Sequence, residues 1–166
     1  LNEIYSEPGS GRSEFIELYN SSTGIQNLDC FTILTYWESG ANKGWYVIDL
    51  PSHNIASAGY YVLAAANPFN VQAKSNVAAN LNWNDAAFRT GTDSYLQKYQ
   101  VSGGSYITAP GFTASSAVSD LSVNTSPAGT GGQNYFTFVF QNGSFVNGFW
   151  GGGPSGSLPS GITSLP

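Results

Sequence analysis

Charge is scarce in this chain. Asp, Glu, Lys and Arg make up 9% of its 166 residues, against roughly 25% in an ordinary soluble domain. Arg12, Lys43, Lys74, Arg89 and Lys98 are its only cations, spread along the sequence, and the net charge is −5. Phosphate binding draws on clustered cations, so neither nucleic acid nor an anionic membrane surface is an expected partner. Cys30 is the single cysteine, which excludes an internal disulfide. It sits in an apolar run over residues 28–34 and reads as a buried, inert thiol. His53 is the single histidine, which excludes a multi-histidine metal site. It follows Pro51 and reads as an exposed or locally bonded turn residue, with no partner for general-base work. No stretch approaches the roughly 18 apolar residues of a membrane span. Methionine is absent, no signal peptide stands at Leu1, and the chain opens inside an apparent strand. These features read as a processed piece of a larger protein.

Catalytic patterns are missing as well. There is no GxSxG motif and no phosphate-cradling loop with its lysine. The glycines at 129, 131, 132 and 151–153 have no helix after them and read as turns. Asp85, Asp93 and Asp120 stand apart from one another. The expectation is therefore no catalytic residue, no metal ligand and no cofactor, and the chain reads as no enzyme. Glu3, Glu14 and Glu17 read as solvent-facing positions on alternating strands; a calcium site built from their oxygens is the alternative. Three Asn-x-Ser/Thr sequons begin at Asn20, Asn124 and Asn142, and such triplets recur by chance in Asn- and Ser-rich chains.

What is present is apolar and aromatic material, 41% and 14% of the chain, enough for one well-filled core. Glu14-Phe15-Ile16-Glu17-Leu18-Tyr19 alternates, with Ile16 and Leu18 on one face. Residues 20–24 form a turn cluster, 31–37 a β-branched and aromatic strand, 38–44 a polar loop, and 45–50 a strand stopped by Pro51. A further strand, Gly59-Tyr60-Tyr61-Val62-Leu63-Ala64, follows a turn. Asn142-Gly143 between two alternating runs predicts a hairpin, with Phe136, Phe138 and Phe140 on one core-facing side. Residues 102–133 predict long ordered loops with two short strands, and residues 71–79 a short helix. The expected core includes Ile16, Leu18, Phe31, Ile33, Val62 and Phe138.

Four rings flank the polar loop: Tyr36 and Trp37 before it, Trp45 and Tyr46 after it. Alternation places the members of each pair on opposite faces. At least one of the four is expected to be exposed, as a contact for a sugar or a partner protein beside Glu38 and Asn42; the alternative is that the rings fill the end of the sandwich core. Trp83 and Trp150 read as core or loop packing.

The segments Leu1-Asn2-Glu3-Ile4-Tyr5 and Glu14-Phe15-Ile16-Glu17-Leu18-Tyr19-Asn20 resemble the opening of lamin-tail domains. The order continues through Leu28-Asp29-Cys30-Phe31-Thr32-Ile33, Ile48-Asp49-Leu50-Pro51 and Gly59-Tyr60-Tyr61-Val62-Leu63-Ala64. Cys30 stands where that family often has Gly, Phe31 where it usually has Trp, and residues 67–133 match poorly. The resemblance implies an all-β, immunoglobulin-like antiparallel β-sandwich with a long loop-rich insertion in the second half. It would occupy residues 1–154, with 155–166 a linker. It also implies a bacterial, secreted or cell-surface setting. The function expected is a non-catalytic structural or interaction module with a protein or polysaccharide partner. The alternative is a carbohydrate-binding module attached to a secreted enzyme.

Overall fold

A computed structural model describes residues 1–5, 13–71, 74–90, 96–113, 115–118, 121, 124–125 and 135–151. The alternating runs become strands: β1 (Glu3–Tyr5), β2 (Phe15–Tyr19), β3 (Gln26–Asn27), β4 (Phe31–Ser39), β5 (Asn42–Asp49), β6 (Asn54–Ile55), β7 (Tyr60–Ala64), β8 (Phe69–Val71), β9 (Lys74–Val77) and β10 (Leu81–Asn82). One short helix, α1 (Ala86–Thr90), interrupts them. Then come β11 (Leu96–Ser102), β12 (Ser105–Thr108), β13 (Asn124–Thr125), β14 (Tyr135–Gln141) and β15 (Ser144–Gly151).

The protein is all-β. A smaller sheet runs β1-β2-β7-β10, and a larger one runs β12-β11-β5-β4-β14-β15, with β13 added at the end of β4. Pairing is antiparallel except β10 on β7 and β13 on β4. One cluster draws Ile16, Leu18, Tyr61 and Leu63 from the smaller sheet and Ile33, Trp37, Tyr46, Ile48, Leu96 and Val139 from the larger. That shared core makes the two sheets a sandwich. Each fully buried Ile or Leu there contributes about 1.5–3 kcal/mol. The inner-face hydroxyls of Thr35 and Thr137 lie 3.3 Å apart and satisfy one another.

Ile16, Leu18, Phe31 and Ile33 are buried as expected. Val62 and Phe138 are not core residues of this kind. Both are half-buried and point away from the opposing sheet. On β14 it is Thr137 and Val139 that face inward, paired with Thr35 and Ile33 of β4. Phe136, Phe138 and Phe140 line the outer side, in a second apolar cluster with Leu34, Tyr36 and Trp45. The expected helix over 71–79 is instead the β8–β9 hairpin, and the polar loop tightens so that Ser39 already pairs with Asn42. Gly151 closes β15 rather than forming a turn. The linker at 155–166, Asp93, Asp120, the other glycines of those two clusters and the Trp150 side chain lie outside the described residues.

The middle of the chain seals one end of the core. Trp83 is buried and donates its indole N–H to the Val118 carbonyl at 2.9 Å. Asn84 bonds Val118 through both amide atoms, donating at 2.7 Å and accepting at 2.9 Å. Arg89 donates to the Thr113 and Ser116 carbonyls at 2.9 and 2.7 Å, with its guanidinium over Phe112. Burial lowers the pKa of that guanidinium. Glu14, expected in solvent, is fully buried and accepts the Leu121 N–H. The reason is parity: position 14 shares its face with Ile16 and Leu18.

Cys30 is exposed, not buried. It occupies the turn before β4 with φ +70°, and its carbonyl accepts the Asn142 N–H at 3.0 Å. The left-handed backbone turns the thiol outward. For an L-residue that backbone costs about 1–2 kcal/mol, a strain glycine does not carry. Cys30→Gly is therefore expected to raise stability by about 0.5–1 kcal/mol, read as a Tm increase of roughly 1–4 °C. A fall in Tm would mean that the thiol makes a contact worth more than the strain.

Candidate binding site

The four rings flanking the β4–β5 turn are all buried, with exposures of 1% for Tyr36, 4% for Trp37, 0% for Trp45 and 5% for Tyr46. The expectation of an exposed ring among them is corrected. Alternation does split each pair, but both sides of the larger sheet are covered. Trp37 and Tyr46 point into the inter-sheet core. The Lys98 ammonium lies 4.0 Å from the Trp37 ring centroid and 5.0 Å from that of Tyr46. Burial pushes the pKa of this ammonium down, while the two ring faces favour its charge. Tyr36 and Trp45 point the other way and meet edge to face at 5.6 Å. Trp45 donates to the Tyr106 hydroxyl at 3.0 Å, and Tyr36 to Glu38 at 3.0 Å. Burial, then that bond and the Glu38 charge, push the Tyr36 pKa up, so its phenol stays a donor. These rings are scaffold, filled by partners from the chain itself.

Exposed aromatic surface lies elsewhere. Tyr19 and Tyr60 are cross-strand partners on β2 and β7. Their ring centroids are 4.9 Å apart, and they are 39% and 55% exposed. Ile16, Leu18, Tyr61 and Leu63 occupy the core side of these strands, so Phe15, Glu17, Tyr19, Tyr60 and Val62 form the outer side. On β1, Glu3 and Tyr5 share that side, opposite Glu17 and Phe15. The alternation already separated Phe15, Glu17 and Tyr19 from Ile16 and Leu18. That was the signal that would have found this face.

The outer face is open at the tyrosine end and walled at the other. There the β8–β9 hairpin folds over it, with Phe69 against Phe15 at 5.5 Å and Tyr5 stacked on Phe15 at 5.6 Å. Between them lies an open groove of about 460 Å³. Val62, Phe15, Phe69, Val71 and Val77 make its apolar lining, and Glu3, Glu17 and Lys74 add charge to it. Asn2 donates to Glu17 at 2.6 Å. Such a surface offers ring faces, an apolar recess and anionic acceptors, the parts from which recognition sites are built.

Glu3 and Glu17 face one another across β1 and β2, and Glu14 does not join them. Among the described residues no three His, Cys, Asp or Glu side chains are grouped to hold a metal ion. His53 is exposed, its ring 4.7 Å from that of Tyr61. Asn20, head of the first sequon, is buried, with its amide engaged in backbone bonds. Asn142 is exposed in the β14–β15 turn at φ +49°. Among the described residues no helix is long and apolar enough to cross a membrane. Compared with protein-family models, curated proteins and solved structures, the chain finds no match.

Proposed function

We propose that this chain is a non-catalytic interaction module of a larger secreted or cell-surface protein, of bacterial origin and lamin-tail type, with an immunoglobulin-like sandwich as its frame. The observation that carries the reading is the outer face of the smaller sheet. A pair of half-open tyrosines, their rings tilted against each other, sits beside two carboxylates and an apolar groove. Large exposed rings on a rigid sheet bind with little loss of conformational entropy, and Tyr is enriched where proteins meet. The segments behind the resemblance fall in β1, β2, β4, β5 and β7, three strands of the smaller sheet and two of the larger. A carbohydrate-binding module is the second reading, favoured by the exposed Tyr19–Tyr60 pair beside the Asn2 amide.

A photo-crosslinking side chain in place of Tyr60, and separately in place of the exposed Ile25, separates these readings. The test uses cells of the source organism. A protein adduct from position 60 and none from position 25 is the expected result. Adducts at neither position would sink the reading. Capture of polysaccharide alone would move it to the carbohydrate module.

A further inference from the structure

We infer, resting on the interaction-module reading, that the outer face of the smaller sheet takes an extended protein segment. That segment presents an apolar side chain, a basic one and an aromatic one at alternate positions. Along β2 the outer side chains run Phe15, Glu17, Tyr19, and beside them β7 runs Ala64, Val62, Tyr60. Successive outward positions lie about 7 Å apart, the same spacing as alternate side chains of an extended peptide laid along them. The apolar recess is at Phe15, Phe69, Val71 and Val77, the carboxylates stand in the middle, and the open tyrosine pair is at the far end.

Charge names the occupant. Glu3 and Glu17 are directly paired across two antiparallel strands, where like charges oppose pairing. The Asn2 amide meets one oxygen of Glu17. Among the described residues Lys74 is the one cation lining the groove, against the two carboxylates, and an arriving ammonium or guanidinium gains from both of them. Beside Glu3, Glu17 and Lys74, the groove is lined by Phe, Tyr and Val side chains, whose apolar faces offer a sugar few partners for its hydroxyls. A basic–apolar peptide matches both the carboxylates and the apolar wall, whereas a glycan would use the carboxylates and the tyrosine faces and gain little from the apolar wall. The net charge of −5 acts in the same direction on encounter.

The test uses the whole 166-residue chain and a fluorescent, end-capped peptide. It carries leucine, lysine and tyrosine at alternate positions with serine between them, in both directions of reading. Binding is followed by anisotropy. One direction is expected to bind with a Kd below ~1 mM and to weaken at least about tenfold when lysine becomes glutamate. The Glu3→Gln/Glu17→Gln double variant should lose a similar factor. Tyr60→Ala, at a ring that is 55% exposed, should weaken binding severalfold with little change in Tm. Raising the salt to ~0.5 M should weaken binding further. Equal affinity for the glutamate peptide overturns the inference, as does unchanged affinity of the double variant or no binding of either peptide. So does binding of a glycan array that is lost in Tyr60→Ala. Adducts from position 60 without peptide binding would remove this inference alone and leave the interaction-module reading standing.

Discussion

Gly44→Ala is expected to destabilise the protein by about 3 kcal/mol or more, lowering Tm by roughly 6 °C or more. Gly44 lies in β5, opposite Trp37 on one side and Gln100 of β11 on the other. A Cβ added there would collide with the Tyr99 carbonyl oxygen and would stand 2.8 Å from its carbon and 2.9 Å from the Gln100 Cα. All three atoms are backbone, so no rotamer change relieves the contact. The carbonyl is also held in place, because the Trp37 indole N–H donates to Tyr99 at 3.0 Å. Relief requires β11 to move away from β5, and β11 carries β12 with it. Gly24→Ala is the control, since nothing lies within 4 Å of its Cβ position. Urea or thermal unfolding of the two variants decides the matter. A Gly44→Ala protein within 2 °C of the parent, roughly the effect of 1 kcal/mol at this size, would mean that the strands are not this close.

That close approach was not legible in the sequence, where Gly44 reads as the end of a polar loop. Alternation did reveal the strands and the inward side of β2, because Ile16 and Leu18 alternate with Glu17. It failed on the larger sheet for a physical reason. Both sides of β4, β5 and β14 carry apolar or aromatic side chains, so a period of two cannot say which side meets the opposing sheet. The side of Phe138 and the expected exposure of a ring at the β4–β5 turn fail through that ambiguity. Val62 was misplaced differently: the β8–β9 hairpin and its neighbours give the outer side of the smaller sheet an apolar patch of its own. The end of the core sealed by Trp83, Asn84 and Arg89 depends on bonds to carbonyls 24–35 residues away. No local pattern marks such partners. The candidate groove is half-legible: Glu17 and Tyr19 share one side of a readable strand, but the mixed apolar spacing over 71–79 predicts a helix where the hairpin walls the groove.

Asn20→Asp is expected to cost about 3–5 kcal/mol at neutral pH, in the range of an uncompensated buried charge. Asn20 is buried at the end of β2. Its amide nitrogen donates to the carbonyls of Gly24, Ile55 and Ala56 at 2.8, 3.0 and 3.1 Å. Its amide oxygen accepts the Ser22 N–H at 3.0 Å and the Ser22 hydroxyl at 2.7 Å. One side chain thus ties the turn after β2 to β6 and to the turn before β7. Its own backbone adds bonds with Gly59 and Ala58, each 3.0 Å. Aspartate keeps the shape and the acceptor but replaces the donor with an anionic oxygen facing three carbonyl oxygens. Desolvation and those dipoles would raise the folded-state pKa of the new carboxyl above its unfolded value of about 3.9. Between the two pKa values the folded state then binds more protons than the unfolded one. Stability therefore falls as pH rises through that window. The Tm deficit of Asn20→Asp against the parent should be smallest near pH 4 and deepen toward pH 7. Asn20→Ala, which leaves unmet carbonyls but no charge, should show a deficit of about 1–3 kcal/mol without that slope. A pH-independent deficit, equal in the two variants, would show that the carboxylate escapes to solvent and that the three-carbonyl cradle does not hold this side chain.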